Sequence, residues 1–181
     1  MHALVRKTLD TYLREQRIIT LSDFPAEAIQ YTTMKDAVFV TLYHEWRVIA
    51  SSGRIACKKE NSLFECIDNA LLCLKDPRFA LEIQDVSKLP DIHIRTDRFR
   101  PENRRVLRDI AELDTSREWL MLLSQNLWVL SVILPHMVHI DTSPGQYFAL
   151  ACKKADIDSS TLTPSDYVLY GLTTVSESDF G

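Results

Sequence analysis

Four clusters of this chain hold residue types that could do chemistry. Ser51, Ser52, Gly53 and Arg54 follow an apolar run, where hydroxyls, backbone N–H groups and a guanidinium could hold a small anion in a strand-end turn. The plain alternative is a polar turn whose Gly53 is kept for backbone freedom. Asp76-Pro77-Arg78-Phe79 sets an acid and a base two residues apart. Asp76 can accept local N–H groups and Arg78 can bond orphan carbonyls at a helix end, or Arg78 can reach a cleft as a carboxylate or phosphate clamp. His136 and His139, with Asp141, have a spacing that could share a metal on a helix. No His-Glu-x-x-His pattern accompanies them, and His44 and His93 lie on other segments, so no metal is expected. Arg95, Arg98, Arg100, Arg104, Arg105 and Arg108 form the densest basic run, with Phe99 inside it. Such a run can contact phosphate, nucleic acid or an acidic protein. Interleaved Asp97, Glu102 and Asp109 favour a solvated, self-paired face.

The cysteines add little reactivity. Cys57, Cys66, Cys73 and Cys152 form no Cys-x-x-Cys pair. Cys66 and Cys73 are seven apart in a helical pattern, about 10 Å at a rise of about 1.5 Å per residue, too far for a disulfide. They read as small buried hydrophobes. No phosphate-binding glycine loop, nucleophile elbow or spaced zinc or iron–sulfur cysteines occur, so no cofactor is expected.

The elements that must position these residues follow from periodicity. Ala3, Val5, Leu9, Tyr12 and Leu13 share one side of a helix over 2–17. Residues 20–35 read as a connection with a short helical turn. Ala37 to Tyr43 and Val48 to Ala50 form a hairpin around the polar tip His44-Glu45. Ser62 with Glu65 makes a capping box for a helix that stops at Asp76-Pro77. A strand covers Ile92 to Thr96; Val106, Leu107, Ile110 and Leu113 suit a short helix; Glu118–Leu123 and Leu127–Ile133 are two strands. Ser143, Pro144 and Gln146 start a helix that runs to about Ala155, Tyr167 to Tyr170 is a last strand, and Val175 to Gly181 is a polar tail that frays. Helices and strands mix without a βαβ rhythm, so the class is α+β, in one domain over 1–181.

The 181 residues, 46% apolar and 25% charged, are enough for one core. A net charge of −4 gives no global attraction to nucleic acid or to a membrane surface. The longest apolar stretch, Trp128 to Ile140, is interrupted by Pro135 and two histidines and cannot span a bilayer of about 30 Å. Charges through the first 17 residues argue against a secretory leader, so a cytoplasmic location is expected.

Several fragments, in this order, resemble the AMMECR domain, named for the Alport syndrome, midface hypoplasia and elliptocytosis chromosomal region. They are Phe39-Val40-Thr41-Leu42, Ser62-Leu63-Phe64-Glu65 leading through Asn69-Ala70 to Asp76-Pro77-Arg78-Phe79, Leu134-Pro135, and Cys152-Lys153-Lys154-Ala155. The resemblance covers residues 37 to 171. It implies a mostly antiparallel sheet flanked by helices, with two lobes enclosing a cleft, and it adds Pro135, His136, Cys152 and Lys154 to the site candidates. Its members, which have no agreed activity, are often encoded beside Memo-like and radical-SAM proteins, which implies such a partner. The family signature Leu-Arg-Gly-Cys-Ile-Gly falls on Val48-Ile49-Ala50-Ser51-Ser52-Gly53, where only the last glycine survives. Ile49 replaces the arginine and Ser51 the cysteine, so thiolate nucleophilicity and soft-metal ligation are lost. The family also usually carries an amide where this chain has His136. The leading expectation is a non-catalytic or accessory protein. An enzyme with a small-anion cleft, using Arg54, Arg78, His136 and groups near Ser51, and a binder of nucleic acid or an acidic partner through residues 95–108, are the alternatives.

Overall fold

The computed structural model describes residues 1–83, 85–124, 129–135 and 143–180. The chain forms two compact units: Met1–Pro101 together with the C-terminal strand, and Glu102–Thr174. Among the described residues each unit carries a four-stranded sheet in which every strand pair is antiparallel, so the α+β class holds and the strands sort into two sheets.

In the first unit, helix α1 (His2–Glu15) buries Leu4, Val5 and Leu9. Two 3-10 segments, Leu21–Asp23 and Ala26–Thr33, follow. Strands β1 (Ala37–His44) and β2 (Arg47–Gly53) make the hairpin. Its tip is Glu45-Trp46, both left-handed with φ of 47° and 65°. Two-residue hairpin loops favour that handedness because it matches strand twist, although it costs strain in residues other than Gly or Asn. Stacking offsets the cost, since the Trp46 ring lies 5.6 Å from both His93 and Phe180. The register shifts between Leu42 and Tyr43, leaving Ile49 as an extra residue. Through that bulge both Ile49 and Ala50 join the core, and alternation then resumes.

Helix α2 (Ser62–Cys73) packs Leu63, Cys66, Ile67 and Ala70 with Val38, Val40 and Leu42 of β1. Its N-cap is Asn61, not the expected Ser62: the Asn61 side chain accepts the Phe64 N–H at 3.1 Å. Ser62 is instead buried, with its hydroxyl taking the Asp36 N–H and donating to the Asp36 carbonyl. Asp76-Pro77 starts an element as well as ending one. Asp76 caps helix α3 (Pro77–Glu82), with proline at its first position where no N–H is needed. Strand β3 (His93–Phe99) pairs with β1.

In the second unit the expected short helix around Val106 is replaced by strand β4 (Arg104–Leu107) and a 3-10 turn, Ile110–Glu112. Strands β5 (Trp119–Ser124) and β6 (Val129–Ile133), helix α4 (Pro144–Lys154) and strand β7 (Tyr167–Leu172) follow. The sheet order is β4-β7-β5-β6, with Leu120, Leu122, Ile133, Leu169 and Tyr147 in its core. The C-terminal residues expected to fray form β8 (Val175–Ser178), which pairs with β3 and closes the first sheet as β2-β1-β3-β8. Backbone pairing with a strand some eighty residues earlier overrides the polar composition of the tail.

Candidate functional site

Ser51, Ser52 and Gly53 lie within β2 rather than in a turn beyond it, opposite Thr41, Val40 and Phe39 of β1. Strand alternation therefore divides them between the two faces of the sheet. Ser52 faces α2, where its hydroxyl donates to Asn69 Oδ1 at 3.0 Å. Ser51 shares the opposite face with Thr41. Their hydroxyl oxygens are 3.3 Å apart, and the Ser51 N–H donates to Asp76 Oδ2 at 3.4 Å.

Gly53 is not in a left-handed conformation, so conformational freedom does not account for it. Proximity does: a Cβ at Gly53 would lie 2.1 Å from the Phe39 ring. That ring is itself stacked on Phe99 with centroids 5.8 Å apart. An aromatic ring laid across a cross-strand glycine covers backbone that a glycine would leave bare.

Asp76 and Arg78 are engaged with each other. Arg78 donates Nε and Nη2 to Asp76 at 3.0 and 2.7 Å, and its backbone N–H donates to the same carboxylate at 3.1 Å. The Arg78 hydrogen bond is the main reason that the Asp76 carboxyl sits below the usual carboxylate range. Arg54, just past β2, is committed in the same way to Glu65 (2.8 Å) and Asp68 (2.7 Å) of α2. Its hydrogen bond to Glu65 raises its own pKa.

Glu65 and Asn69 form a buried polar cluster behind this strand end. Glu65 Oε2 accepts the Lys58 and Lys59 amides at 2.8 and 2.9 Å, while Oε1 accepts from Arg54 and, at 3.4 Å, from Asn69. Asn69 also donates to the Val38 carbonyl at 3.1 Å. Burial pushes the Glu65 carboxyl up, but the Arg54 side chain and the two amides outweigh it and hold the group below its ordinary value. Periodicity assigned Glu65 only a capping role and overlooked Asn69. The available signal was a polar residue at 69, on the apolar side of α2 between Cys66 and Cys73.

The cysteines are poor nucleophiles here. Burial pushes the Cys66 and Cys73 thiols up to about 12, and Cys73 points its Sγ at the Val40 carbonyl, 3.6 Å away. The Cys57 thiol is also raised, by partial burial and then by Glu65. None is a thiolate at neutral pH.

The structure thus brings Ser51, Asp76 and Arg78 together, and Ser52 and Arg54 onto α2. Pro135, Cys152 and Lys154 belong to the second unit. There Pro135 and Cys152 are buried, and Lys154 Nζ donates to the Val132 carbonyl at 2.9 Å. His136, His139 and Asp141 lie outside the described residues. Among the described residues no cluster of three His, Cys, Asp or Glu side chains could hold a metal. His44 pairs with Glu82 at 2.6 Å, and His93 stacks under Trp46.

The arginine run divides between the units. Arg95 binds Asp97, Arg98 binds Asp36 at 2.9 Å and stands over Tyr31, and Arg100 binds Asp36 at 2.8 Å. In the second unit Arg104 stands over Tyr170 and Arg105 binds both oxygens of Glu118 at 2.7 and 2.8 Å. The Arg108 guanidinium has no such partner among the described residues.

With this geometry in view, the chain is similar to a protein of known structure, an uncharacterised protein from Pyrococcus horikoshii. The TM-score is 0.74 at 17% identity, over 97% of this chain and 87% of that one. The fold is shared. No family model matches the sequence. No curated protein matches it either. Among the described residues no helix is long and apolar enough to cross a membrane.

Proposed function

We propose that this chain is an AMMECR-type domain that has lost the chemistry of its signature and acts as a non-catalytic, accessory protein in the cytoplasm, with a Memo-like or radical-SAM protein as its partner. One observation carries the reading. At the position where the resembling family has its cysteine, the Ser51 hydroxyl has a single hydrogen-bonding partner among the described residues, the hydroxyl of Thr41. A serine becomes a competent nucleophile only when a neighbouring base takes its proton, and Thr41 is not one. The charged groups at this end of the strand are already paired, because Asp76 holds Arg78 and, on the α2 face, Glu65 holds Arg54. An incoming anion would meet an arginine whose charge a carboxylate already offsets. The fragments that resemble the AMMECR domain, Phe39-Val40-Thr41-Leu42 and Ser62-Leu63-Phe64-Glu65 among them, lie on the elements packed around this strand end and support the same reading.

The test is to mix the purified chain with a Memo-like and a radical-SAM protein from the same genome and to follow co-elution and partner activity. A stable complex, unchanged by Ser51→Ala, is the expected result. Turnover of a substrate by the chain alone, abolished in a folded Ser51→Ala variant, would refute the proposal.

A further inference from the structure

The second unit contains a cavity of about 300 Å³ that none of the preceding chemistry uses. Its origin lies in the sheet. Strands β4 and β7 pair from Arg104–Leu172 to Leu107–Leu169 and then separate, while β7 continues through Val168 and Tyr167 against β5 alone. The space left beside β7 is walled by Leu107, Arg108, Ile110, Pro164, Tyr167 and Leu169. Leu107 and Leu169 are buried and apolar. Along one side the chain is pinned as the 3-10 turn at Ile110, with Asp109 Oδ1 accepting the Ala111 N–H at 2.7 Å.

Two polar side chains of this lining are unpaired among the described residues. The Arg108 guanidinium and the Tyr167 hydroxyl have no hydrogen-bonding partner among the described residues, whereas the neighbouring Arg104 and Arg105 are both engaged. Small-ligand sites combine apolar walls with a few polar groups, and this cavity, whose lining mixes the two, is at the small end of a range of about 300 to 1,000 Å³. A guanidinium is a planar fork that matches a carboxylate, and a phenol can donate to the same group.

We propose that this cavity binds a small carboxylic acid with an apolar body, its carboxylate on Arg108 and its hydrocarbon against Leu107, Leu169 and the Tyr167 ring. Two sources share that chemistry, a plain organic acid and an apolar amino acid, and Asp109 beside Arg108 could take the ammonium of the second.

The experiment titrates hydrocinnamate, hydrocinnamyl alcohol and phenylalanine into the isotopically labelled chain and reads amide nitrogen–proton correlation spectra. Saturable shifts at amides 106–110 and 164–169 are expected, with hydrocinnamate about tenfold tighter than the neutral alcohol. Arg108→Gln, a change at an exposed side chain that should leave the fold intact, is expected to remove that advantage. Phenylalanine binding more tightly than hydrocinnamate, with the gain lost in Asp109→Asn, supports the proposal with an amino acid as ligand. The opposite order supports it with a plain acid. No saturable shift at these amides up to about 10 mM, equal affinity for the alcohol, or unchanged affinity in Arg108→Gln overturns it.

Discussion

Replacing Glu65 with Gln should destabilise the first unit more than so small a change suggests. The carboxylate is fully buried, and both of its oxygens face donors: Arg54 and Asn69 on one, the Lys58 and Lys59 amides on the other. An amide has only one accepting oxygen, so in either orientation its NH₂ faces two N–H groups. Each buried donor left without an acceptor costs about 1–3 kcal/mol, and breaking a buried pair from one side costs about 3–5 kcal/mol. Arg54 retains Asp68 and some access to water, which places the expected loss near the lower figure, about 3 kcal/mol. With a urea slope of about 2 kcal/mol/M, the unfolding midpoint should fall by about 1.5 M. Arg54→Met alone should cost less, and the double variant should be more stable than the sum of the single losses implies, a coupling of about 1–3 kcal/mol. The pH dependence follows from the lowered Glu65 pKa. A carboxyl whose folded value lies below its unfolded one, about 4.3, contributes fully above that value and loses the contribution as pH falls through the folded value. The gap between parent and Glu65→Gln should therefore be full at neutral pH and shrink below about pH 4. A midpoint within about 0.3 M of the parent at neutral pH, or strict additivity with Arg54→Met, would refute the reasoning.

Other expectations concern single sites. Gly53→Ala sets a methyl 2.1 Å from a Phe39 ring that Phe99 holds in place, so it should cost about 1–3 kcal/mol in thermal or denaturant unfolding. Adding Phe39→Leu should recover part of that loss; no recovery would mean that the glycine serves another purpose. At Gly171 a Cβ would lie 2.8 Å from Glu118 Oε1, and Glu118 is held by Arg105, so Gly171→Ala should lower the melting temperature and make Arg105→Met nearly silent in that background. Asp76→Ala removes the cap of α3 and the acceptor for Ser51, for an expected loss of about 1 kcal/mol or somewhat more, while Asp76→Asn should retain most of the cap. For the thiols, Cys66, Cys73 and Cys152 are buried and only Cys57 is partly exposed. A thiol reagent at pH 8 should label one cysteine in the native chain and four after denaturation. Rapid native labelling of two or more would contradict the burial.

Much of the secondary structure was legible because its causes are local. The apolar stripe of α1, the β-branched run of β1 and the proline at the start of α4 act within a few residues of themselves. Boundaries failed where two neighbours competed for one role, as Asn61 and Ser62 did for the cap of α2. The hydroxyl of Ser62 was claimed by Asp36, 26 residues away, and Asn61 was left to cap. Around Val106 the four residues of β4, three of them exposed, carry too little alternation to declare a strand, and only pairing with β7 makes them one.

By itself the sequence determined which residue types were at hand: two serines before a glycine at the end of an apolar run, no phosphate loop, and arginines mixed with acids. Tertiary structure alone decided what those residues are doing. Arg98 and Arg100 find their acid at Asp36, 62 and 64 residues away, rather than only among the acids of their own run. Gly53 owes its place to a ring on the facing strand, and the tail becomes a strand because β3 presents an open edge. The reason is common to all of these. Composition and periodicity carry short-range preferences, whereas ion pairs, cross-strand contacts and the gap between two diverging strands exist only once distant segments have been brought within a few ångströms.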